Sequence, residues 1–166
     1  MIFVNKPVVV LLAVLALAAS GAACTHARSA TGPVPNPSLD LPQGNLTIAG
    51  SGGPELSLHV QIAETAQSRE TGLMNVKTMP DQVGMAFLFD PPTSTPFWMK
   101  DTLIPLDIVF WDGRGRVVTT FTMAPCAADP CHQYDPAALY VGAVEMNAGL
   151  VAARGIHSGD TVTLMR

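Results

Sequence analysis

Charge is scarce in this chain. Only 13% of its 166 residues are Asp, Glu, Lys or Arg, and nine basic residues face thirteen acidic ones. The basic residues are scattered, which argues against a nucleic-acid interface, because phosphate backbones are held by clustered Lys and Arg. The same scatter leaves no polybasic patch for an anionic lipid surface. There is no Gly-x-Ser-x-Gly elbow and no phosphate-cradling glycine loop, so the common signatures of an activated serine and of a nucleotide site are missing. No internal repeat is visible. Beyond the first thirty residues, no apolar run is long enough to span a bilayer. Cysteine is limited to three positions.

What is present begins at the N-terminus. Lys6 is the sole charge ahead of Cys24, residues 8–19 are uninterruptedly apolar, and Ser20, Gly21, Ala22 and Ala23 follow. A basic start, a short apolar run and a small-residue exit read as an export signal over residues 1–23. Ala22 and Ala23 before Cys24 resemble a bacterial lipoprotein signal, although Gly21 stands where an aliphatic residue is commoner. Acylation of Cys24 would leave the other two cysteines to pair, and would place the protein outside the cytoplasm on a membrane anchor. Removing the signal takes out only Lys6, so the mature chain stays acidic.

Residues 24–53 are rich in Gly, Pro, Ser and Thr and read as an extended tether, with a short strand possible at 46–49. Residues 54–166 have the length of one domain. Leu56, Leu58, Val60 and Ile62 alternate with polar residues, the period of a half-buried strand. Residues 65–71 form a short helix that Thr65 starts and Gly72 ends. Strands are expected at 85–89, 97–99, 105–111, 116–123, 139–146 and 161–165, with a proline-rich loop at 90–96 and a hairpin turn at 112–115. Asn147 would cap a second helix ending at Gly155. This pattern is mainly β, a compact β sandwich or open barrel with two short helices.

Four segments occur in order: Arg69-Glu70-Thr71-Gly72-Leu73-Met74, Gly84-Met85-Ala86-Phe87-Leu88-Phe89, Phe97-Trp98-Met99-Lys100-Asp101-Thr102 and Ile104-Pro105-Leu106-Asp107-Ile108-Val109-Phe110. Glu145 with Gly149, then Gly155-Ile156 and Gly159-Asp160, close the series. The chain thereby resembles the bacterial and archaeal domain-of-unknown-function family 192 over nearly all of residues 55–166. Asp101 departs from the family's usual asparagine. The resemblance implies a mainly β domain, often exported, and transfers no catalytic residue, because the family has no established activity.

Four charges sit in apolar company: Arg69, Lys100, Asp107 and Glu145. Burying an unpaired charge costs several kcal/mol, so these should pair or face a wet cleft. In the structural reading, ion pairs join helix to sheet. In the binding reading, Arg69, Trp98, Lys100, Thr102, Asp107 and Glu145 surround a small polar ligand or a group on an envelope partner. In an enzymatic alternative, Asp107 and Glu145 are an acid/base pair of an envelope hydrolase acting on saccharides. The non-catalytic binding role is the expectation, with the membrane reached through the anchor, no nucleic acid and no cofactor.

Cys126 and Cys131 flank a short loop and precede His132. Outside the cytoplasm such a pair reads as a disulfide. The alternative is a soft-metal or copper site made by Cys126, Cys131 and His132. Most of the methionines lie among Leu, Phe and Val and read as core.

Overall fold

The computed structural model describes residues 35–50, 53–126 and 128–166. The expected export signal, Cys24 and the tether up to residue 34 lie outside the described residues. No helix among the described residues is long and apolar enough to cross a membrane.

The elements are β1 (Gln43–Ala49), β2 (Leu56–Ala63), α1 (Ala66–Thr71), β3 (Val83–Thr93), β4 (Phe97–Trp98), β5 (Leu106–Trp111), β6 (Val117–Met123), β7 (Gln133–Tyr134), β8 (Tyr140–Asn147), α2 (Leu150–Arg154) and β9 (Thr161–Met165). Seven strands form one sheet in the order β6-β5-β8-β3-β2-β1-β9, and β4 pairs with β7. All pairings in the large sheet are antiparallel except β2 with β3, which α1 and the chain after it connect. The sheet curls into a half-barrel, so the open-barrel alternative is the one formed. Its two edges meet at one end, where Val117 N donates to Asp160 O at 2.9 Å and Val162 N to Gly115 O at 2.7 Å.

The central strands are covered on both faces, which is why β5 reads as a continuous apolar run. One core gathers Leu58, Val60, Val109, Trp111, Val144 and Met146 and takes in Val117 and Val162 from the two edge strands. The other gathers Met85, Phe87, Ile108, Phe110, Tyr140 and Ala143 with Leu73 and Met99. Successive side chains of a strand point to opposite faces, so neighbours such as Ile108 and Val109 divide between the two cores. Met79, Met85, Met99, Met123 and Met146 are all buried, in keeping with the core reading of methionine. At the crossing of β5 and β8, Gly142 leaves the space that the Trp111 indole fills; a Cβ there would collide with the ring.

Three boundaries differ from expectation. The stretch read as tether supplies β1, which lies between β2 and β9. Ahead of it, Asn36 is buried; its N–H donates to Gln61 Oε1 and its Nδ2 to Gly72 O, both at 2.8 Å. There the alternation of Leu46 and Ile48, both buried, prevails over the prolines and glycines around it. Strand β3 runs on through Pro91 and Pro92 to Thr93, with an irregularity in its pairing to β8 that accommodates the missing N–H groups. Asn147 does not cap α2. Gly149 does, at φ 95°, while Asn147 Nδ2 donates to Met79 O and Asp81 Oδ1, both at 2.7 Å.

Candidate functional site

Helix α1 is short and strongly bounded. Ser68 N donates to Thr65 Oγ1 and Thr65 N to Ser68 Oγ, both at 3.0 Å, a reciprocal cap that satisfies two orphan donors. Gly72 ends the helix at φ 44°, a backbone region that favours glycine, and the turn sends Leu73 into the core. Arg69, in the last turn, is thereby aimed at the sheet. Its Nη1 donates to Glu64 O at 2.7 Å and Leu88 O at 2.9 Å, and the guanidinium lies 4.8 Å from the centre of the Phe89 ring.

Facing α1 is the turn after β4. Met99 is buried while Trp98 stays 43% exposed. Lys100 Nζ lies 5.6 Å from the Trp98 ring centre and 3.3 Å from Asp129 Oδ2. Asp101 stands at φ 53° and its carbonyl accepts from Asn75 N at 2.8 Å. Asn and Asp are the side chains that tolerate this conformation best, so the departure from asparagine keeps the turn's backbone chemistry. Thr102 is buried and donates through Oγ1 to Lys100 O at 3.3 Å.

Between α1 and this turn opens a small cleft of about 30 Å³, lined by Arg69, Gly72, Trp98, Lys100, Thr102 and Glu145 among others. Five of the six expected binding residues therefore line one cleft. Three of the segments that carry the family resemblance converge on it. Glu145 belongs to β8, between Met85 of β3 and Ile108 of β5. It is 5% exposed, and its carboxyl makes no hydrogen bond to any described residue; its solvent contact is through the cleft. Burial pushes its pKa up to about 8, so at neutral pH it is chiefly the neutral acid. A larger apolar groove of about 270 Å³ adjoins, sharing Arg69, Glu70, Phe97 and Trp98 with the cleft and adding Phe89, Pro96 and Tyr140.

Asp107 is elsewhere. It pairs in register with Met146, whereas Glu145 pairs with Ile108, so the two carboxyls point to opposite faces of the sheet. Asp107 is fully buried; Oδ1 accepts from Thr122 Oγ1 at 2.6 Å and Oδ2 from Val151 N at 2.8 Å. It thus supplies the α2 N-terminus with the side-chain acceptor that Gly149 lacks. Neither carboxyl is ion-paired: the two salt bridges among the described residues are Lys100–Asp129 and Arg166–Glu64. Arg69 does join helix to sheet, through carbonyls rather than carboxylates. The acid/base geometry required of a saccharide hydrolase using Asp107 and Glu145 is not formed.

Cys126 and Cys131 are joined in a disulfide. This is the expected pairing, and it leaves no sulfurs for the alternative soft-metal site with His132; that ring packs edge-on against Tyr134 at 4.7 Å. Sequence reasoning missed Glu70, Thr71, Met74, Phe87 and Phe97 as lining residues; for Glu70, Thr71 and Phe97, closeness in sequence to Arg69 and Trp98 was a usable signal, whereas Phe87 is brought in by β3. Asp129, which holds Lys100 from 29 positions away, had no signal at all.

The DUF192 family profile (Uncharacterized ACR) matches residues 47–164. Among solved structures, a protein of unknown function from Novosphingobium aromaticivorans DSM 12444 is similar at 32% identity and a TM-score of 0.72, covering 81% of this chain and 94% of that one. A Sinorhizobium meliloti 1021 protein, provisionally labelled a transcription regulator, is similar at 27% identity and a TM-score of 0.70, covering 76% and 96%. The curated proteins include no match.

Proposed function

Because the chain belongs to the DUF192 family, which brings a fold and no reaction, we propose its function from the cleft: a non-catalytic binding domain, lipid-anchored through Cys24 outside the cytoplasm. It takes up a small polar ligand, or a polar group of an envelope partner, between α1 and the turn after β4. One observation carries this reading. Glu145 is 5% exposed, bonded to no described residue and lines the cleft. No buried polar side-chain atom among the described residues lacks a partner, so the Glu145 carboxyl meets solvent in the cleft, where a largely desolvated carboxyl is a group that a ligand can reach. Anchoring is supported by the apolar run 8–19, the small residues after it and the odd cysteine. A regulator's contact with nucleic acid finds no support in this chain, whose nine Lys and Arg are scattered and outnumbered by thirteen Asp and Glu.

The test is a two-dimensional NMR titration of the protein with four small probes: ammonium, ethanol, acetate and glucose. At least one should shift the signals of residues 69–74, Gly84 and the Trp98 indole, and Glu145→Gln should remove that response. No response at the cleft to any probe would overturn the reading.

A further inference from the structure

We propose that the cleft accepts a primary alkylammonium group, its head seated on the Glu145 carboxyl and its apolar stem laid against Phe97 and Trp98 in the adjoining groove. This rests on the cleft being a binding site, and it adds the chemical class of ligand.

Size is the first constraint. About 30 Å³ holds a head group on the scale of water. An ammonium or a hydroxyl matches this volume better than a phosphate, a guanidinium or a sugar ring. The second constraint is donor and acceptor balance. The cleft's two cations already have partners: Arg69 holds two backbone carbonyls, and Lys100 holds Asp129. Glu145 is left as acceptor capacity without a donor. Once ionised, that carboxyl would meet an anion unfavourably. A hydroxyl would supply one donor, whereas an ammonium supplies three and compensates the charge that Glu145 carries when ionised. The third constraint is the mouth. Beyond the head site the groove is apolar and about 270 Å³, which suits a hydrocarbon stem. Trp98 already receives one ammonium, that of Lys100, 5.6 Å from its ring centre, so the ring suits a cation in this setting.

The charged groups facing Glu145 are Arg69 and Glu70 from α1 and Lys100 from the turn after β4. From β3 and β5 the register neighbours are Met85 and Ile108, both apolar, and Asp107 lies on the other face. An ammonium bound to ionised Glu145 therefore displaces a proton from that carboxyl. With its pKa near 8, the ionised fraction, and with it the affinity, rises by about 50-fold between pH 6 and pH 8.

The experiment titrates the purified full chain with n-butylammonium, n-butanol and n-butyrate at both pH values, following cleft signals by NMR. The expected result is tightest binding by n-butylammonium, with affinity rising steeply with pH. Glu145→Gln should weaken it at least tenfold at pH 8 and abolish the pH response. Trp98→Ala, at an exposed position that leaves the core intact, should weaken it severalfold and keep the pH response. N-acetyl-lysine amide binding tighter than n-butylammonium would identify a protein side chain as the source, and weaker binding a free amine; both support the class. Tighter Glu145-dependent binding of n-butanol or n-butyrate would overturn the ammonium assignment and leave the cleft as a binding site. No cleft response to any of the three would overturn both.

Discussion

Asp107 and Glu145 are neighbours across a strand pair, and their surroundings give them opposite tasks. Asp107 has an acceptor bond on each oxygen, from Thr122 and from the first turn of α2. Asp107→Ala would leave a hydroxyl and a helix N–H unpaired in the interior, and should cost about 2–4 kcal/mol. Urea denaturation measures this, and a midpoint at or above the parent's would sink the structural role. Glu145 has no such partner, so its contribution follows pH. The folded state keeps its proton up to about pH 8, whereas the unfolded chain releases it near 4.5. Between these values the folded state binds more protons, so stability falls as pH rises, by up to roughly 5 kcal/mol across the window. Unfolding free energies at pH 5 and pH 8.5 should show this decline, and Glu145→Gln should flatten it; an equal decline in the variant assigns it to other groups. The sequence showed that both carboxylates sit among apolar residues. It could not show which face each takes, because that depends on the register between β5 and β8, a property of two strands 30 or more residues apart.

At the scale of elements, local signals were legible and pairings were not. Thr65 and Gly72 bound α1 as their side-chain chemistry requires, and Asp112 to Gly115 turn β5 back as β6. The alternation in β2 and the last strand at 161–165 were readable from periodicity alone. Strand β1 was half hidden, because Gly44 and the prolines before it lower local strand propensity while pairing with β2 and β9 overrides it. The β4–β7 pair depends on the excursion that the disulfide closes, since Lys100 also bridges to Cys126. Peptide mass spectrometry without reduction should find Cys126 and Cys131 linked, two hydrogens lighter than the free thiols. Replacing both by serine should cost about 2 kcal/mol, because closing so short a loop restricts the unfolded chain only modestly. Two free thiols in the native protein would refute the pairing.

At the scale of the whole molecule, the anchor proposal makes a plain demand. Cys24→Ala should move the protein from the membrane fraction to the soluble one, read by fractionation and immunoblot. An unchanged distribution, or a mature N-terminus downstream of residue 24, would falsify lipidation there. The described residues begin ahead of β1, at the strap where Asn36 reaches Gly72 and Gln61. That strap has a mechanical meaning. Tension arriving along the chain ahead of Pro35 meets Asn36 before it meets any strand. Two short polar bonds then carry the load, one into β2 and the other into the carbonyl of the glycine that shapes the cleft wall. A pull too weak to part the sheet would therefore act on the cleft first.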